Sequence, residues 1–327
     1  MSSKLQSGDL ATVFGGSGFV GRNTVRALAK RGLRVRAAVR RPDLAGALQP
    51  MGTVGQIHPV QANLRYPQSV QAALDGADLV INLVAVLAPS GRQTFDALHV
   101  KGARAVAKAA REAGVRQFVH VSALGADPKA KSSYARTKGL GEQAVLEEFP
   151  DAIILRPSVI FGPEDEFFNR FAGLAQMSPF LPLIGGGRTK FQPVYVGDVA
   201  EAIVAAADGA ARAGTVYELG GPDVMTMREV LDNVQTWTGR RRPYIPLPFF
   251  LAKLQAVLTW PLPNSLRPLT VDQVRLLQSD NIVSETAVSE QRTIQDLGIA
   301  HPQAAGIIVP SYLERFRPRG QYSHYRG

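Results

Sequence analysis

The chain has 327 residues, of which 45% are hydrophobic and 20% are charged, and its formal net charge is +10 at pH 7. This length and composition predict a globular chain with a large core in one or two domains; they exclude an intrinsically disordered protein, and no uncharged apolar run reaches the roughly 18–20 residues of a membrane-spanning helix. The lack of cysteine excludes disulfides and thiolate metal ligands, and the five histidines lack ligand spacing, so no metal site is predicted.

Strand-like and helix-like segments alternate through the first half of the chain. Strand-like runs lie at residues 10–15, 54–61, 79–84, 117–122 and 152–156, and an alternation of charged and apolar residues predicts a further strand at residues 34–40. Helical spacing of apolar residues lies between them, at residues 23–31, 67–74, 94–113 and 133–148. Such alternation predicts a parallel sheet covered on both faces. The expected fold class is therefore α/β, a Rossmann-type doubly wound parallel sheet with a smaller C-terminal α/β region.

The alternation loosens after Phe161-Gly-Pro163, which suggests a second region. We expect a Rossmann domain at residues 8–163, which late strands and helices of residues 190–235 rejoin. A smaller, substrate-like region is expected at residues 164–320 and a mobile tail at residues 321–327. The apolar stretch at residues 249–260 is interpreted as a core or subdomain helix, with a membrane-edge or partner contact as the alternative.

A glycine-rich segment, Gly15-Gly-Ser-Gly-Phe-Val-Gly21, lies between the first predicted strand and the first predicted helix. Its glycines fit G-x-G-x-x-G and G-x-x-G-x-x-G, patterns that allow a tight turn, a close approach of backbone to a pyrophosphate, and close packing of helix on strand. The N-terminus of the following helix offers N–H groups and a favourable dipole to phosphates. The segment therefore predicts a dinucleotide site.

The end of the second predicted strand favours NADP(H) over NAD(H). An NAD site places an acidic residue roughly 20 positions after the glycines, where it binds the ribose hydroxyls. Here that place reads Ala38-Val-Arg-Arg-Pro42, and an arginine can pair with a 2′-phosphate. Asp43 favours the alternative, NAD(H), and Arg40 and Arg41 could equally be a solvated strand end.

Tyr134 and Lys138 have Tyr-x-x-x-Lys spacing at the start of a predicted helix. One helical turn places both side chains on the same face. A nearby ammonium stabilises tyrosinate and lowers the tyrosine pKa, so Tyr134 is a candidate acid or base for hydride chemistry. The alternative is a half-buried tyrosine beside a solvated lysine.

Together, several motifs resemble the atypical, extended short-chain dehydrogenases/reductases, which include NAD(P)-dependent epimerases and dehydratases. These motifs are Gly15–Gly21, Asn63-Leu64, Asn82–Ala85, Tyr134-x-x-x-Lys138 and Arg156–Pro163. Within that superfamily, residues 156–170, 193–202 and 269–283 are most similar to the NADPH-binding accessory subunit of respiratory complex I and its bacterial relatives. The resemblance spans residues 10–300.

The resemblance implies a binding role for each matching residue. The implied cofactor-binding residues are Gly15, Gly16, Ser17, Gly18, Phe19, Val20 and Gly21 at the pyrophosphate, Arg40 and Arg41 at the 2′-phosphate, Asn63 and Leu64 at the adenine, Ala85 at the ribose region, Tyr134 and Lys138 at the nicotinamide ribose, and Pro157 and Val159 beside the nicotinamide ring.

One position departs from the active members of the superfamily. There, the strand before the tyrosine helix commonly ends in Ser or Thr residues that position the substrate carbonyl. Here it reads His120-Val-Ser-Ala-Leu124, which puts Ala123 at that position and Ser122 beside it. Loss of one such donor can cost ~10²–10³ in rate. The candidate catalytic residues are Tyr134, Lys138 and Ser122, but the sequence supports cofactor binding better than turnover.

Two functions follow as hypotheses from the resemblance. The first is an accessory or assembly subunit of NADH:ubiquinone oxidoreductase (complex I), which holds NADPH as a structural cofactor beside peripheral-arm subunits and the membrane surface. The alternative is a free-standing NADP-dependent oxidoreductase, epimerase or dehydratase that acts on a small hydroxyl or keto substrate through Tyr134 and Lys138.

The charge distribution and the first residues bear on partners and location. Residues 1–150 carry 20 Lys and Arg against 10 Asp and Glu, but aromatic residues are not interleaved as in a nucleic-acid-binding module, so no nucleic-acid partner is expected. Residues 1–9 lack the apolar core of a signal peptide, and no transit peptide is recognised. We expect a bacterial protein that lies in the cytoplasm or peripherally on the cytoplasmic face of the inner membrane.

Overall fold

The computed structural model describes residues 4–259 and 269–318, which form two compact units. The first unit is drawn from Met1–Pro157, Val196–Leu219 and Ser284–Ala300, and the second from Ser158–Tyr195, Gly220–Val283 and His301–Gly327. The expected tail at residues 321–327 lies outside the described residues.

A seven-stranded parallel sheet forms the centre of the first unit. Its strands are β1 (Leu10–Phe14), β2 (Arg34–Val39), β3 (Ile57–Gln61), β4 (Leu79–Asn82), β5 (Gln117–Val121), β6 (Ile153–Pro157) and β11 (Val216–Leu219). Their order is β11-β6-β5-β4-β1-β2-β3. The chain therefore leaves β1 in one direction for β2 and β3 and returns on its other side at β4. In doubly wound sheets, such a switch point lies beside the ligand-binding crevice at the carboxyl ends of the strands.

Helices accompany the strands of the first unit. They are α1 (Phe19–Lys30), α2 (Pro67–Leu74), α3 (Ala103–Glu112), α4 (Ser133–Glu148), α6 (Val196–Ala205) and α10 (Glu285–Ser289). Phe14, Val80 and Phe118 pack in one core cluster with residues of α2, α3 and α4. The neighbouring strand residues Val13 and Ile81 are also fully buried, so the sheet is covered on both faces. The expected doubly wound α/β fold is confirmed.

The second unit contains short strands and helices. Its strands are β7 (Ile160–Phe161), β8 (Leu181–Ile184), β9 (Lys190–Phe191), β10 (Val194–Tyr195), β12 (Met225–Thr226) and β13 (Tyr244–Leu247). They form three two-stranded sheets, β10-β7, β12-β9 and β13-β8. Its helices are α5 (Phe168–Met177), α7 (Met227–Thr238), α8 (Phe249–Leu258), α9 (Val271–Leu276) and α11 (Ala305–Leu313).

The unit boundaries differ from those expected from the sequence. The first segment of the first unit ends at Pro157 rather than residue 163. Of residues 190–235, which were expected to rejoin it, Val196–Leu219 do so, whereas 190–195 and 220–235 belong to the second unit. Conversely, residues 284–300 return to the first unit. They do so because they form hydrogen bonds with β11. Glu218 N–H donates to Arg292 O at 2.9 Å, and Ser284 N–H donates to the side-chain carboxylate of Glu218 at 2.8 Å.

Helix α8 belongs to the second unit, as expected of a subdomain helix, but it is not a core helix. Among its residues only Ala252 and Ala256 are buried. The exposed large apolar side chains of the same helix are Phe250, Leu251, Leu254, Val257 and Leu258. The buried face of the helix is therefore a narrow stripe of two alanines at i, i+4 spacing, and its large apolar side chains are exposed to solvent. The interpretation as a core helix is wrong. Trp260 lies outside the described residues.

No helix that the structure describes combines the length and apolar character needed to cross a membrane.

Candidate functional site

The turn between β1 and α1 is closed by contacts among its own glycines. Gly15 has φ +81°, in the left-handed region, and its carbonyl accepts a hydrogen bond from Gly18 N–H at 3.0 Å. A Cβ on Gly21 would lie 2.2 Å from Gly15 O, and a Cβ on Gly16 would lie 3.0 Å from Ala37 Cβ on β2. Gly21 therefore permits the helix to approach the turn, and Gly16 permits the turn to approach the next strand.

The N-terminus of α1 has the chemistry of an anion site. Gly18 is its N-cap, in extended conformation, and no described side chain caps it. The first N–H groups of a helix have no partner within the helix, and they carry the positive end of its dipole. A Cβ on Gly18 would meet only Gly15 O, at 3.3 Å, and Phe19 and Val20, which follow it, are half-buried. These residues fit a pyrophosphate.

The glycine turn lies beside the segment after β4, at the switch point of the sheet. A Cβ on Gly15 would be 3.4 Å from both Leu83 C and Val84 Cγ2, and Leu83 N–H donates to Phe14 O at 3.0 Å. Ala85, the position implied at the ribose, is exposed two residues further on. The structure thus brings the implied pyrophosphate and ribose positions together.

The two arginines after β2 have different surroundings. Arg41 Nη2 lies 2.8 Å from Asp43 Oδ2, and this hydrogen bond lowers the pKa of the Asp43 carboxyl. Arg40 is exposed, and within residues 4–259 and 269–318 it has no ion-pair partner. Asp43, which favoured NAD(H) in the sequence, is therefore engaged, whereas Arg40 is available to an external anion.

Asn63 and Leu64, the implied adenine residues, follow β3 in a tight turn. Asn63 Oδ1 accepts a hydrogen bond from Arg65 N–H at 3.2 Å, and Ser69 Oγ donates to Asn63 O at 3.0 Å. Leu64 is buried in the core cluster against α3. Both residues therefore lie at the carboxyl end of the sheet, like the glycine turn.

Lys138 is buried in α4 rather than solvated. It is 1% exposed, and its Nζ donates a hydrogen bond to Val121 O at 2.8 Å. Burial lowers the pKa of Lys138 to about 8, against the opposing effect of Glu142. Burial also raises the pKa of Tyr134 to about 12, the opposite of the lowered tyrosine pKa expected from the sequence. The cause of this rise is desolvation, which disfavours the phenolate.

Two buried histidines adjoin this pair and were not identified as site residues from the sequence. His120, on β5, lies with its Nδ1 3.2 Å from Asn82 Nδ2, and burial together with Lys138 lowers its pKa well below the usual value. His99 lies edge-on to the Tyr134 ring, with centroids 5.5 Å apart. Asn82 and His120 are 38 residues apart, so no local pattern predicts the contact between them.

Ser122 is buried, and its hydroxyl has no hydrogen-bond partner among the described residues. Its backbone N–H donates to Leu155 O at 2.7 Å. Its Oγ is buried and has no hydrogen-bond partner in the part of the chain that the structure describes. A buried hydroxyl without a partner is costly, so this atom is suited to a ligand or water. Ala123, beside it, contributes no hydroxyl.

Pro157 and Val159 lie in different units. Pro157 ends β6 in the first unit, and its carbonyl accepts from Leu124 N–H at 2.9 Å. Val159 belongs to the second unit, where its N–H donates to Asn281 Oδ1 at 3.1 Å. Arg156, in the same family motif, forms an ion pair with Glu142, with Nη2 2.6 Å from Oε2. Its role in the first unit is therefore structural.

Comparisons with known proteins agree with this arrangement. The NAD dependent epimerase/dehydratase family matches residues 11–220. The "NADH dehydrogenase (ubiquinone) 1 alpha subcomplex subunit 9, mitochondrial" of Arabidopsis thaliana is 38% identical over 325 residues, which cover 96% of this chain and 79% of the relative. The "NADH-ubiquinone oxidoreductase 40 kDa subunit, mitochondrial" of Neurospora crassa is 29% identical, over 96% of this chain and 81% of the relative.

A solved structure supports the fold. The NADPH-dependent quinone oxidoreductase of Escherichia coli, complexed with NADPH, is similar with a TM-score of 0.72 and 23% identity, over 93% of this chain and 99% of the other. The resemblance read from the motifs is thus confirmed. The chain belongs to the NAD dependent epimerase/dehydratase family, whose nicotinamide cofactor its glycine turn fits, and it is a homologue of the mitochondrial complex I subunits.

Proposed function

We propose that this protein is an accessory subunit of NADH:ubiquinone oxidoreductase (complex I) that holds NADP(H) in its first unit as a structural cofactor. The observation that carries the proposal is the 38% identity to a subunit of NADH dehydrogenase over 96% of the chain. Identity over nearly the whole length includes the second unit, and not only the nucleotide-binding fold. In this role the protein lies peripherally at the membrane, beside peripheral-arm subunits.

The choice of NADP(H) over NAD(H) rests on Arg40. Its guanidinium is exposed directly after β2 and has five N–H donors that match the oxygens of a 2′-phosphate. Asp43, the carboxylate that would bind ribose hydroxyls in an NAD site, is paired with Arg41 at 2.8 Å. Asp43 must give up this ion pair before it can bind a ribose, whereas Arg40 needs no rearrangement.

A structural role for the cofactor is supported by the site around Tyr134. When bound, a nicotinamide supplies hydride-transfer chemistry. At pH 7 Tyr134, with its pKa raised to about 12, is protonated, so it can donate a hydrogen bond to a ribose hydroxyl but serves poorly as a base. Ala123 gives no hydroxyl to polarise a substrate carbonyl. The chain's residues can thus bind and orient the dinucleotide, while position 123 lacks the hydroxyl that would polarise a substrate carbonyl.

The alternative is an NADP-dependent oxidoreductase, epimerase or dehydratase. It is favoured by the Tyr134 and Lys138 pair on α4 and by the buried Ser122 hydroxyl, which has no partner among the described residues. As an oxidoreductase, the purified protein would oxidise NADPH while it reduces a small keto substrate; as an epimerase or dehydratase, it would convert its substrate with no net consumption of NADPH. In either case Tyr134→Phe would abolish the reaction. Activity that is unchanged in Tyr134→Phe would rule out catalysis through this pair.

We further propose that α8 is the face that meets the membrane surface. Its exposed side chains Phe250, Leu254 and Leu258 are apolar, and they are 68%, 53% and 71% exposed. Lys253 lies in the same helix and Arg241 is exposed shortly before it. Apolar residues beside cations suit an interface with anionic headgroups, where a helix too short to span can lie in the plane of the membrane.

Co-purification tests the subunit proposal. The tagged protein is expressed at its native level, membranes are dissolved in mild detergent, and captured proteins are identified by mass spectrometry. We expect complex I subunits in constant ratio to the tagged chain. Leu254→Asp is the matched variant: it should retain nucleotide and lose membrane attachment. Capture of no respiratory-chain subunit, by a protein that still carries nucleotide, would contradict the proposal.

A further inference from the structure

His99 links two parts of the first unit that are distant in sequence. It lies in the π-helical turn Asp96–Gly102, immediately before α3, and it is 2% exposed. On one side, Val86 N–H donates to His99 Nε2 at 3.1 Å. On the other side, His99 Nδ1 lies 3.1 Å from Thr137 Oγ1 in α4. The imidazole therefore ties the segment after β4 to the helix that carries Tyr134 and Lys138.

The hydrogen bonds determine the protonation of His99. An amide can only donate, so Nε2 must be unprotonated, and a neutral imidazole then carries its proton on Nδ1. Nδ1–H thus donates to Thr137 Oγ1, whose own hydroxyl donates to Ser133 O at 2.8 Å. Burial and the charge of Lys138 lower the pKa of His99 to about 3, in agreement with this neutral tautomer.

The ring of His99 also holds the ring of Tyr134. Phe95 stacks on one side of the imidazole, with centroids 5.3 Å apart and an interplanar angle of 26°. Tyr134 meets the imidazole edge-to-face at 5.5 Å and 89°, and it meets Phe95 at 5.9 Å and 77°. These are favourable geometries for aromatic pairs. The phenol ring therefore contacts two rings. One is His99, which is held by Val86 N–H and Thr137, and the other is Phe95, which stacks on His99.

We propose that His99 is a positioning residue for the nicotinamide-ribose end of the dinucleotide site. His99 acts through the ring of Tyr134 and through the backbone at Val86. This inference rests on the proposed dinucleotide binding. The glycine turn and Arg40, which would hold the pyrophosphate and the 2′-phosphate, share no hydrogen bond with His99 among the described residues. Loss of His99 should therefore weaken the binding of the nicotinamide-ribose end of the ligand and leave the binding of the adenine and 2′-phosphate end unchanged.

Binding of two ligands by three variants tests the proposal. NADPH reports on the whole site, and adenosine 2′,5′-bisphosphate reports on the adenine and 2′-phosphate end alone. His99→Phe keeps an aromatic ring but removes both hydrogen bonds, so we expect its Kd for NADPH to rise about tenfold. Its Kd for adenosine 2′,5′-bisphosphate should not change. His99→Gln, whose Oε1 can accept from Val86 N–H, should restore most of the NADPH affinity.

Thr137→Val is the third and mildest variant, because it removes only the partner of Nδ1. It should weaken NADPH binding in the same selective way, together with faster hydrogen exchange of the Val86 amide. An equal loss of both ligands, or no loss of either, would overturn the positioning role while dinucleotide binding stands. A wild-type protein that binds neither ligand would instead refute the proposed binding and the inference together.

Discussion

Replacement of Gly21 by alanine should disrupt the glycine turn by direct collision with backbone. The new Cβ would lie 2.2 Å from Gly15 O and 2.7 and 2.8 Å from two backbone atoms of Gly16. Carbon contacts are normally about 3.5–4.0 Å, so the turn must move by more than about 1 Å. Such overpacking typically costs about 1–3 kcal/mol of unfolding free energy. If the moved turn loses two N–H contacts to phosphate, affinity falls about 100-fold.

Substitutions at two other glycines distinguish the effect of a Cβ on folding from its effect on ligand binding. A Cβ on Gly18 would meet only Gly15 O at 3.3 Å, and its φ of −74° suits any residue, so Gly18→Ala should fold normally but obstruct the approach of a pyrophosphate. Gly46→Ala is the control, because a Cβ there meets nothing within 4 Å. Denaturant unfolding and NADPH titration are measured on all three. If Gly21→Ala binds NADPH as tightly as the wild-type protein, the glycine turn is not the pyrophosphate site.

Three further predictions concern specificity, pH and attachment. Arg40→Ala should weaken NADPH binding about tenfold and leave NADH binding unchanged, whereas Arg41→Ala, which removes only the partner of Asp43, should alter NADPH binding little; equal effects in a titration series would contradict the assignment. Because the pKa of His99 falls from 6.5 to about 3 on folding, the unfolded chain binds the extra proton in this window, and unfolding free energy should decrease as pH falls below 6.5. This decrease should be smaller in His99→Gln, and identical pH profiles would count against a neutral, buried imidazole. Leu254→Asp should reduce co-sedimentation with anionic vesicles, while Val288→Asp, at an equally exposed apolar residue of α10, should not; equal binding by both variants would argue against α8 as the membrane face.

The glycine turn could be predicted from the sequence because its physical reasons are local. Gly15 and Gly21 are six residues apart, and their contact follows from a strand, a turn and a helix in immediate succession. The alternation of apolar runs likewise predicted the parallel sheet, since strands buried on both faces are apolar throughout. Strand ends were less certain: β3 begins at Ile57, whereas the sequence suggested residue 54.

The network around His99 could not be predicted, because its partners are set by the fold. Val86 is 13 residues away and Thr137 is 38 residues away. The sequence also could not predict which arginine pairs with Asp43, because Arg40 and Arg41 are both within three residues of it. The fold places Arg41 there. The pKa direction of Tyr134 was missed because desolvation depends on packing, which residue spacing does not reveal. The exposure of α8 was missed because apolar composition alone does not identify the buried face.

In the proposed function, this chain keeps NADP(H) tightly bound as a structural cofactor. The most direct test is gentle purification, denaturation and identification of the released nucleotide by mass spectrometry, with its oxidation state followed under added candidate oxidants. We expect about one NADPH per chain, which stays reduced and which is lost in Gly21→Ala. Nucleotide that exchanges on dilution and turns over would favour the alternative, an NADP-dependent enzyme. A protein without nucleotide, even after incubation with NADPH, would refute the proposed dinucleotide site.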